Sequence, residues 1–308
     1  MARVLGLDSG GTKTIAAVAD RSGRVVARVS GEGLDPTAGD GWEVRLAGLV
    51  APLGPVDAAT LGMPFHGEIP EISARQISVA TALFGAGVQV LNDVAVGFEG
   101  ALAGRDGVLI LAGTGSMAWA RGPLGTVRTG GWGDVFGDEG SAFWIGREAL
   151  GMVSRHLDGR NPSAAFAQGV LGRLGIAGSD LIGWTYRQDH LRAGIAAVAV
   201  HVSDLADHGD AEARRLMQRA AAHLSELGRA AAEASGTGAP LLWSVAGGVF
   251  RDATLSGAVT ALMASDPVPP RLPPVGGAIL SAARAAGWAA DDAFITRLNR
   301  SLIAQTSP

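Results

Sequence analysis

The chain has 308 residues, about twice a typical domain length of roughly 150, and 47% of them are hydrophobic, so we expect two packed domains. The net charge is −4 and the basic residues form no stripe, which argues against a nucleic-acid or anionic-membrane partner. The chain contains no cysteine, which excludes disulfides, thiolate metal sites, iron–sulfur clusters and a cysteine nucleophile. The N-terminal residues do not resemble a signal peptide, and we expect a cytoplasmic protein.

The first thirty residues alternate with the period of a strand and carry turn residues at 8–11 and 20–23, which predicts a three-strand meander. The next sixty residues predict alternating helices and strands. These elements are a helix over 42–53, a strand over 58–63, a helix over 72–84 and a strand over 88–91.

The second half of the chain is richer in helical spacing. The predicted elements there are helices over 141–154, 191–207 and 211–234, a strand over 240–246, and helices over 253–264, 275–286 and 290–305.

Residues 4–12 and 108–116 match each other at a constant offset of 104. Both segments are apolar strands that enter a tight turn of glycine and hydroxyl residues, and a second strand follows each turn. The match predicts two similar hairpins from two similar domains, which is the pattern of a duplicated phosphate clamp.

The first turn follows Asp8 and contains Gly10, Gly11 and Thr12. A carboxylate at a strand end, beside a turn that exposes backbone N–H groups, can hold a hydrated Mg²⁺ together with phosphate oxygens. A plain hairpin turn in which Asp8 bonds to its own backbone is the structural alternative.

The second turn contains Thr114, Gly115 and Ser116, and Ala112 stands where the first turn has Asp8. This turn can therefore hold phosphate but cannot anchor a metal. An ordinary turn is the alternative.

Asn92 and Asp93 follow a predicted strand and precede an apolar helix. A carboxylate at the mouth of a parallel sheet is well placed to accept a proton from a hydroxyl that attacks a phosphoryl group. The competing interpretation is that Asp93 is a helix N-cap.

Residues 130–141 contain five glycines besides Asp134, Asp138 and Glu139, directly before a predicted helix. Glycine lets the backbone approach a ligand, and carboxylates accept hydrogen bonds from several hydroxyls, as a sugar requires. A capping loop with Ser141 as its cap is the alternative. Further on, Gly247 and Gly248 follow a buried strand and could let a purine lie against the backbone.

Taken in order, these segments resemble the N-acetylglucosamine kinase branch of the BadF/BadG/BcrA/BcrD ATPase family, within the superfamily of acetate and sugar kinases, Hsp70 and actin. The GGWGDVFGDEGSAFWIG of residues 130–146 is the most specific part of the likeness. The resemblance implies an α/β fold of two ribonuclease H-like (actin-like ATPase) domains with an interdomain cleft. It places residues 1–104 and 288–308 in the N-terminal lobe and 105–287 in the C-terminal lobe.

The resemblance also implies an ATP- and Mg²⁺-dependent kinase that phosphorylates the 6-hydroxyl of N-acetylglucosamine. Asp93 would be the general base, and Asp8 would hold Mg²⁺ through water. The other implied contacts are Gly10, Gly11, Thr12, Thr114, Gly115, Ser116, Gly247 and Gly248 with ATP, and Asp35, Asn92, Asp93, Gly131, Trp132, Asp138 and Ala142 with the sugar. The expected partners are a small amino sugar and a second copy of the chain, with no nucleic acid or membrane.

Two segments depart from the family pattern. Asp35 replaces the usual Asn after the third strand, and residues 62–67 read GMPFHG where a Gly-x-Ala-Gly run is common. Because a carboxylate near the 2-substituent could pair with an ammonium group, glucosamine is an alternative substrate. A sugar- or nucleotide-binding regulator without activity is a second alternative, whereas the acyl-CoA dehydratase activators of this fold need cysteines that the chain lacks.

Overall fold

The computed structural model describes residues 2–10, 13–37, 39, 41–160 and 163–305. The chain divides into two compact units, here called unit 1 (Met1–Arg105 with Pro269–Pro308) and unit 2 (Asp106–Val268). No helix in the described part of the chain is long and apolar enough to cross a bilayer.

The described residues form nine strands, namely β1 (Arg3–Ser9), β2 (Lys13–Asp20), β3 (Val25–Glu32), β4 (Ala58–Met63), β5 (Gln89–Asn92), β6 (Gly107–Ala112), β7 (Ser116–Gly122), β8 (Gly125–Gly130) and β9 (Trp243–Ala246). They also form eleven α-helices, namely α1 (Trp42–Val50), α2 (Pro70–Phe84), α3 (Asp93–Leu102), α4 (Ala142–Leu157), α5 (Ala164–Leu174), α6 (Leu181–Tyr186), α7 (Leu191–Asp207), α8 (Ala211–Ser235), α9 (Ala253–Met263), α10 (Pro274–Ala285) and α11 (Asp292–Ala304). Short 3-10 helices span Ala51–Leu53, Gly178–Asp180 and Gly248–Arg251.

Unit 1 has a five-stranded sheet in the order β3-β2-β1-β4-β5. The first three strands are the antiparallel meander that the sequence predicts, and β4 and β5 run parallel to β1. Successive residues of β1 face opposite cores, since Val4 packs with the C-terminal helices while Leu5 and Leu7 pack with α1 and α2. The carboxyl ends of β1, β4 and β5 therefore lie at one edge of a sheet that is covered on both faces.

Helix α10 packs against β1 and α3 with almost no space between the backbones. A Cβ atom on Gly277 would lie 2.0 Å from the Val96 carbonyl oxygen, and one on Gly6 would lie 2.4 Å from the Ile279 nitrogen. Glycine at these positions allows the close approach. The boundary between the units consequently falls at residue 269 and not at residue 288, and residues 269–287 belong with unit 1.

Unit 2 repeats the same pattern in a four-stranded sheet with the order β8-β7-β6-β9. Strands β6, β7 and β8 form an antiparallel meander, and β9 runs parallel to β6 as β4 does to β1. The predicted pair of similar α/β domains is confirmed.

Three elements of unit 2 have no counterpart among the predicted elements, namely β8, α5 and α6. No residue of β8 is fully buried, which explains why its sequence shows no clear alternation of apolar and polar residues. The buried core of this unit lies between its sheet and helices α4, α5, α7, α8 and α9.

Candidate active site

Asp8 is the penultimate residue of β1, where it pairs with Ile15 of β2 and with Gly62 of β4. Burial, and after it the nearby carboxyl of Asp93, together raise the pKa of Asp8 to about 7. The carboxyl group is thus held at the edge where the parallel strands end. No described lysine or arginine contributes to this pKa shift.

Asn92 and Asp93 connect β5 to α3, and the structure separates their roles. Asn92 is the N-cap, because its Oδ1 accepts a 2.9 Å hydrogen bond from the Val94 N–H. Asp93 is the first helical residue, so the interpretation of Asp93 as the N-cap is wrong and the cap is Asn92. Asp93 Oδ1 also accepts a hydrogen bond from the Val94 N–H, at 2.9 Å. Burial is the main reason that the pKa of Asp93 is raised to about 6; the hydrogen bond from the Val94 N–H opposes the rise, and the charge of Glu68 adds to it.

The loop after β4 supplies Glu68, which the sequence analysis missed. The Asn92 amide donates both to Glu68 Oε1, at 2.9 Å, and to the His66 carbonyl oxygen, at 3.0 Å. Buried Gln76 hydrogen-bonds to the His66 ring and to the Pro64 carbonyl. These bonds fix the conformation of residues 62–67, the GMPFHG segment that departs from the family pattern. The bonds to Glu68 and His66 use both amide hydrogens of Asn92, and the cap uses one lone pair of its Oδ1, so Asn92 positions its neighbours and has one acceptor lone pair left for a sugar hydroxyl.

The hairpin turn after Asp8 closes with a 3.0 Å hydrogen bond from the Gly10 N–H to the Lys13 carbonyl. Nothing lies within 4 Å of a Cβ atom at Gly10, so this side of the turn is open. Gly11 and Thr12, two of the predicted phosphate contacts, lie outside the described residues.

Asp35 lies in the loop that follows β3. Its Oδ1 accepts hydrogen bonds from the backbone N–H and the hydroxyl of Thr37, both at 2.7 Å, which makes an Asx turn. One carboxylate oxygen is therefore used within the loop, and only Oδ2 is left for a ligand.

The second glycine turn, in unit 2, is held by the start of α4. Ala142 N–H donates to the Gly113 carbonyl at 2.9 Å, and Phe143 N–H donates to the Thr114 carbonyl at 3.2 Å. Ser141 is the N-cap of α4, as the capping interpretation expects. Because the Ala142 N–H is used in this way, it is not available to donate to a sugar.

Segment 130–141 lies against this turn. Gly131 N–H donates to the Ser116 carbonyl at 3.0 Å, and Ser116 Oγ donates to the Glu139 carbonyl at 2.7 Å. The N–H of Ser116 donates to Asp138 Oδ1 at 3.2 Å. Ser116 and Gly131 therefore shape the turn with the donors that were predicted to contact ligands, whereas the N–H groups of Thr114 and Gly115 have no acceptor among the described residues.

Asp138 is only 3% exposed and has a left-handed backbone with φ of 56°. Burial raises the pKa of its carboxyl, while the Ser116 N–H and Arg192 oppose that rise. Arg192 Nη2 lies 2.5 Å from Asp138 Oδ2, so both oxygens of the carboxylate have partners. Arg192 comes from the first turn of α7 and belongs to no motif that the sequence analysis recognised.

Trp132 has a 65% exposed side chain, and its ring lies 5.3 Å from the Arg128 guanidinium carbon. It lies directly after Gly131, so an exposed aromatic face adjoins the segment that packs on the glycine turn. An exposed indole of this kind can pack against the apolar face of a ligand.

Gly247 and Gly248 follow β9, and the structure gives them different roles. A Cβ atom on Gly247 would lie 2.1 Å from the Ala112 carbonyl oxygen, and its φ is +102°. Gly248 has nothing within 4 Å of a Cβ position and is exposed. Gly247 thus allows β9 to approach the turn after β6, and Gly248 leaves an open backbone surface beside it.

A sequence model of the BadF/BadG/BcrA/BcrD ATPase family matches residues 52–292, which is more than half of the chain. An N-acetylmuramic acid/N-acetylglucosamine kinase of Clostridium acetobutylicum is 31% identical over 137 residues, 44% of this chain and 45% of that protein. An N-acetyl-D-glucosamine kinase of Dictyostelium discoideum is 26% identical over 212 residues, 59% of this chain and 64% of that protein. Both matches span less than two thirds of the relatives' own length.

A solved structure supports the fold assignment. It comes from Chromobacterium violaceum and is described as a candidate N-acetylglucosamine kinase, with a TM-score of 0.73 and 24% identity over 91% of this chain and 98% of that chain. At this identity the likeness concerns the fold alone. The expected BadF/BadG/BcrA/BcrD ATPase family and the expected α/β fold are confirmed.

Proposed function

Because the chain belongs to the BadF/BadG/BcrA/BcrD ATPase family, we propose that it is an ATP- and Mg²⁺-dependent kinase that phosphorylates the 6-hydroxyl of N-acetylglucosamine. One observation carries the proposal. Asp93, a carboxylate with a raised pKa, begins α3 at the sheet edge where β5 ends, and Asp8, a second carboxylate with a raised pKa, lies near the end of β1 at the same edge. A base and a metal-binding acid in one place are what phosphoryl transfer to an alcohol requires.

Asp93 would take the proton of the attacking hydroxyl. Its Oδ1 is oriented by the Val94 N–H, which leaves Oδ2 to accept the proton. A pKa of about 6 keeps this carboxylate ionised at neutral pH while making it a stronger base than an exposed aspartate. Glu68 and Asn92 hold the neighbouring loop and the helix start, so that the base has a fixed position.

Asp8 fits a Mg²⁺ ion that is held through water. No group of three or more His, Asp or Glu side chains in the described residues could hold a metal ion directly. Mg²⁺ in kinases usually binds through one or two carboxylates, several waters and the substrate phosphates, which agrees with a single strand-end carboxylate. When bound, the ion would neutralise developing charge on the transferred phosphoryl group.

Each glycine turn would bind phosphate oxygens of a nucleotide, through Gly10, Gly11 and Thr12 in unit 1 and through Thr114 and Gly115 in unit 2. Ser116 would shape the second turn, since its donors bond within the unit. Gly248 would provide the open surface for the adenosine, and Gly247 the close packing behind it.

The sugar would contact Asp93, the Asp35 loop and the segment that carries Trp132 and Asp138. The names of the two curated relatives favour an N-acetylated sugar. Asp35 favours glucosamine as the second candidate, because its Oδ2 is free of the Asx turn and could pair with an ammonium group.

A coupled ADP-release assay tests the proposal. The panel contains glucose, glucosamine, N-acetylglucosamine, N-acetylmannosamine and N-acetylmuramic acid, and phosphorus NMR of the product locates the new ester. We expect the largest kcat/KM with N-acetylglucosamine and a 6-phosphate product that depends on Mg²⁺. Asp35→Asn should change the ratio of glucosamine to N-acetylglucosamine turnover only if the carboxylate contacts the 2-substituent. Sugar binding without ADP release from any sugar would favour a regulator and reject the kinase.

A further inference from the structure

Arg192 brings a positive charge to the glycine turn of unit 2. A Cβ atom built on Gly115 would lie 2.9 Å from Arg192 Nη2 and 2.9 Å from each Asp138 carboxylate oxygen. The guanidinium and the carboxylate thus both touch the turn whose Thr114 and Gly115 N–H groups have no described acceptor.

Asp138 creates an electrostatic problem for a phosphate at this turn. The Asp138 carboxylate is 3% exposed and lies against Gly115, so it would repel a polyphosphate that is bound to the N–H groups of Thr114 and Gly115. The repulsion is weakly screened, because the carboxylate is out of contact with water. A cation paired to Asp138 removes that repulsion, and Arg192 is the cation that the structure places there.

The bonding of Arg192 leaves donors for a ligand. Its Nη2 bonds to Asp138, its Nε lies 3.9 Å from Asp134 Oδ1, and its side chain is 44% exposed. Arg173, in the same unit, makes the contrast clear, because its Nε and Nη2 both bond to Asp204 and its Nη1 bonds to the Gly169 carbonyl. Arg173 has the full set of partners of a structural arginine, whereas Arg192 does not.

Resting on the proposed ATP-dependent activity, we propose that Arg192 is a phosphate-binding residue for the polyphosphate tail of the nucleotide. Asp138 holds the Arg192 guanidinium against the glycine turn, and the remaining N–H groups of the guanidinium bind phosphate oxygens. A guanidinium is suited to this position, since its planar fork can bond to a carboxylate on one edge and to a phosphate on another.

Nucleotide binding tests the proposal. Calorimetry measures the affinities of wild type, Arg192→Gln and Arg192→Lys for ATP, ADP and adenosine in the presence of Mg²⁺. We expect Arg192→Gln to weaken ATP binding by about 10- to 100-fold and ADP binding by less, with adenosine affinity unchanged, because a charge-assisted contact to phosphate is lost. Arg192→Lys should restore part of the ATP affinity, because a lysine retains the charge but not the fork.

Arg173→Gln is the matched control, because it also removes one partly buried arginine and its ion pair with Asp204 from this unit. It should leave all three nucleotide affinities unchanged. Thermal denaturation of each variant shows whether unit 2 is intact. If Arg192→Gln unfolds the unit, the charge-preserving Arg192→Lys still tests the proposal through the ratio of its ATP affinity to its adenosine affinity.

Equal losses of ATP and adenosine affinity in Arg192→Gln, or no loss of ATP affinity in a folded variant, would overturn the proposal. Either result leaves the proposed kinase activity standing, provided that the wild-type protein releases ADP. If the wild-type protein binds adenosine no more weakly than ATP, Arg192 has no phosphate to bind and the proposal is also rejected. Absence of ADP release in a protein that binds ATP through Arg192 would instead reject the kinase alone.

Discussion

The two glycine turns follow equivalent strands, β1 and β6, yet different charged side chains surround them. In unit 1 the end of the strand carries Asp8, and burial raises the pKa values of both Asp8 and Asp93. In unit 2 the equivalent strand position is Ala112, and the acid beside the turn, Asp138, is paired with Arg192. One backbone pattern can therefore serve two kinds of chemistry, since the side chains around each turn set its charge.

The comparison indicates how two copies of one fold can take on different chemical roles. A cluster of acids with raised pKa values suits proton transfer and a hydrated divalent cation. A turn with free N–H groups and a paired guanidinium suits phosphate oxygens. We accordingly expect the acids of unit 1 to govern turnover and the glycine turn of unit 2 to govern nucleotide affinity, a division between the two units that variants can test.

Asp93→Asn should have the largest effect. Loss of a general base lowers kcat by about 10²- to 10⁴-fold, while ATP affinity measured by calorimetry should stay within error of wild type. In the wild-type protein, kcat/KM should fall as the pH drops below about 6, because protonation of Asp93 removes the base.

Glu71→Gln provides the control for Asp93→Asn, since Glu71 is also an acid in the first turn of a unit 1 helix but is exposed. It should leave kcat and the pH profile unchanged. Unaltered turnover in Asp93→Asn, or a loss of ATP affinity as large as the loss of kcat, would break the division between the two units.

Gly247→Ala and Gly248→Ala alter neighbouring residues but should change stability by very different amounts. At Gly247 the added methyl group would collide with the Ala112 carbonyl in a left-handed backbone, so the free energy of unfolding should fall by at least about 2 kcal/mol. Gly248→Ala has open space, and its stability should change by less than about 0.5 kcal/mol.

Urea denaturation measures the free energies of unfolding of Gly247→Ala and Gly248→Ala, and nucleotide titration measures their affinities. Gly248→Ala should weaken adenosine binding in a fully folded protein if the exposed backbone there contacts the base. Equal stability of the two variants would show that the fold does not depend on the close approach of Gly247 to the Ala112 carbonyl.

Asp8→Asn should raise stability modestly in the absence of Mg²⁺. The folded protein holds the Asp8 proton more tightly than the unfolded chain does, so ionisation between the ordinary pKa of 3.8 and the folded value of about 7 opposes folding. Removing the charge should add about 1–2 kcal/mol at pH 8 once solvent screening is included, and nothing below pH 4.

Thermal denaturation across this pH range measures the Asp8→Asn effect. Asp57→Asn serves as the control, because Asp57 is an exposed acid of the same unit that bonds to the Arg3 N–H. A variant less stable than wild type at pH 8 would contradict the burial of an unpaired acid at this strand end. Addition of Mg²⁺ should stabilise wild type and not Asp8→Asn if the ion binds there.

Much of the fold follows from periodicity in the sequence. Strand β4 and helix α7 have the predicted bounds, since both have strongly patterned, well-buried residues. Strand β8 lacks such a pattern because it has no fully buried residue. The assignment of α10 to unit 1 depends on close contact of its glycines with α3, which spacing along the chain does not show.

Motifs in the sequence also pointed to the segments of the candidate site, whereas the hydrogen-bond partners within these segments become visible only in the structure. Motifs drew attention to Asn92, Ser116 and Asp138 as ligand contacts, and their hydrogen bonds show that each of them also holds another group of the protein in place. Glu68 and Arg192 come from loop and helix positions far along the chain from the residues that they contact, and neither belongs to a recognisable motif. Only the folded arrangement shows their proximity.

The order of segments along the chain has a consequence for synthesis on the ribosome. Unit 2 is one continuous stretch, Asp106–Val268, whereas unit 1 needs α10 and α11 to cover the face of β1 that carries Val4. Translation therefore delivers a complete second unit while the first still exposes an apolar sheet face to solvent or to chaperones. The earlier-made half of the protein is the later one to acquire its finished core.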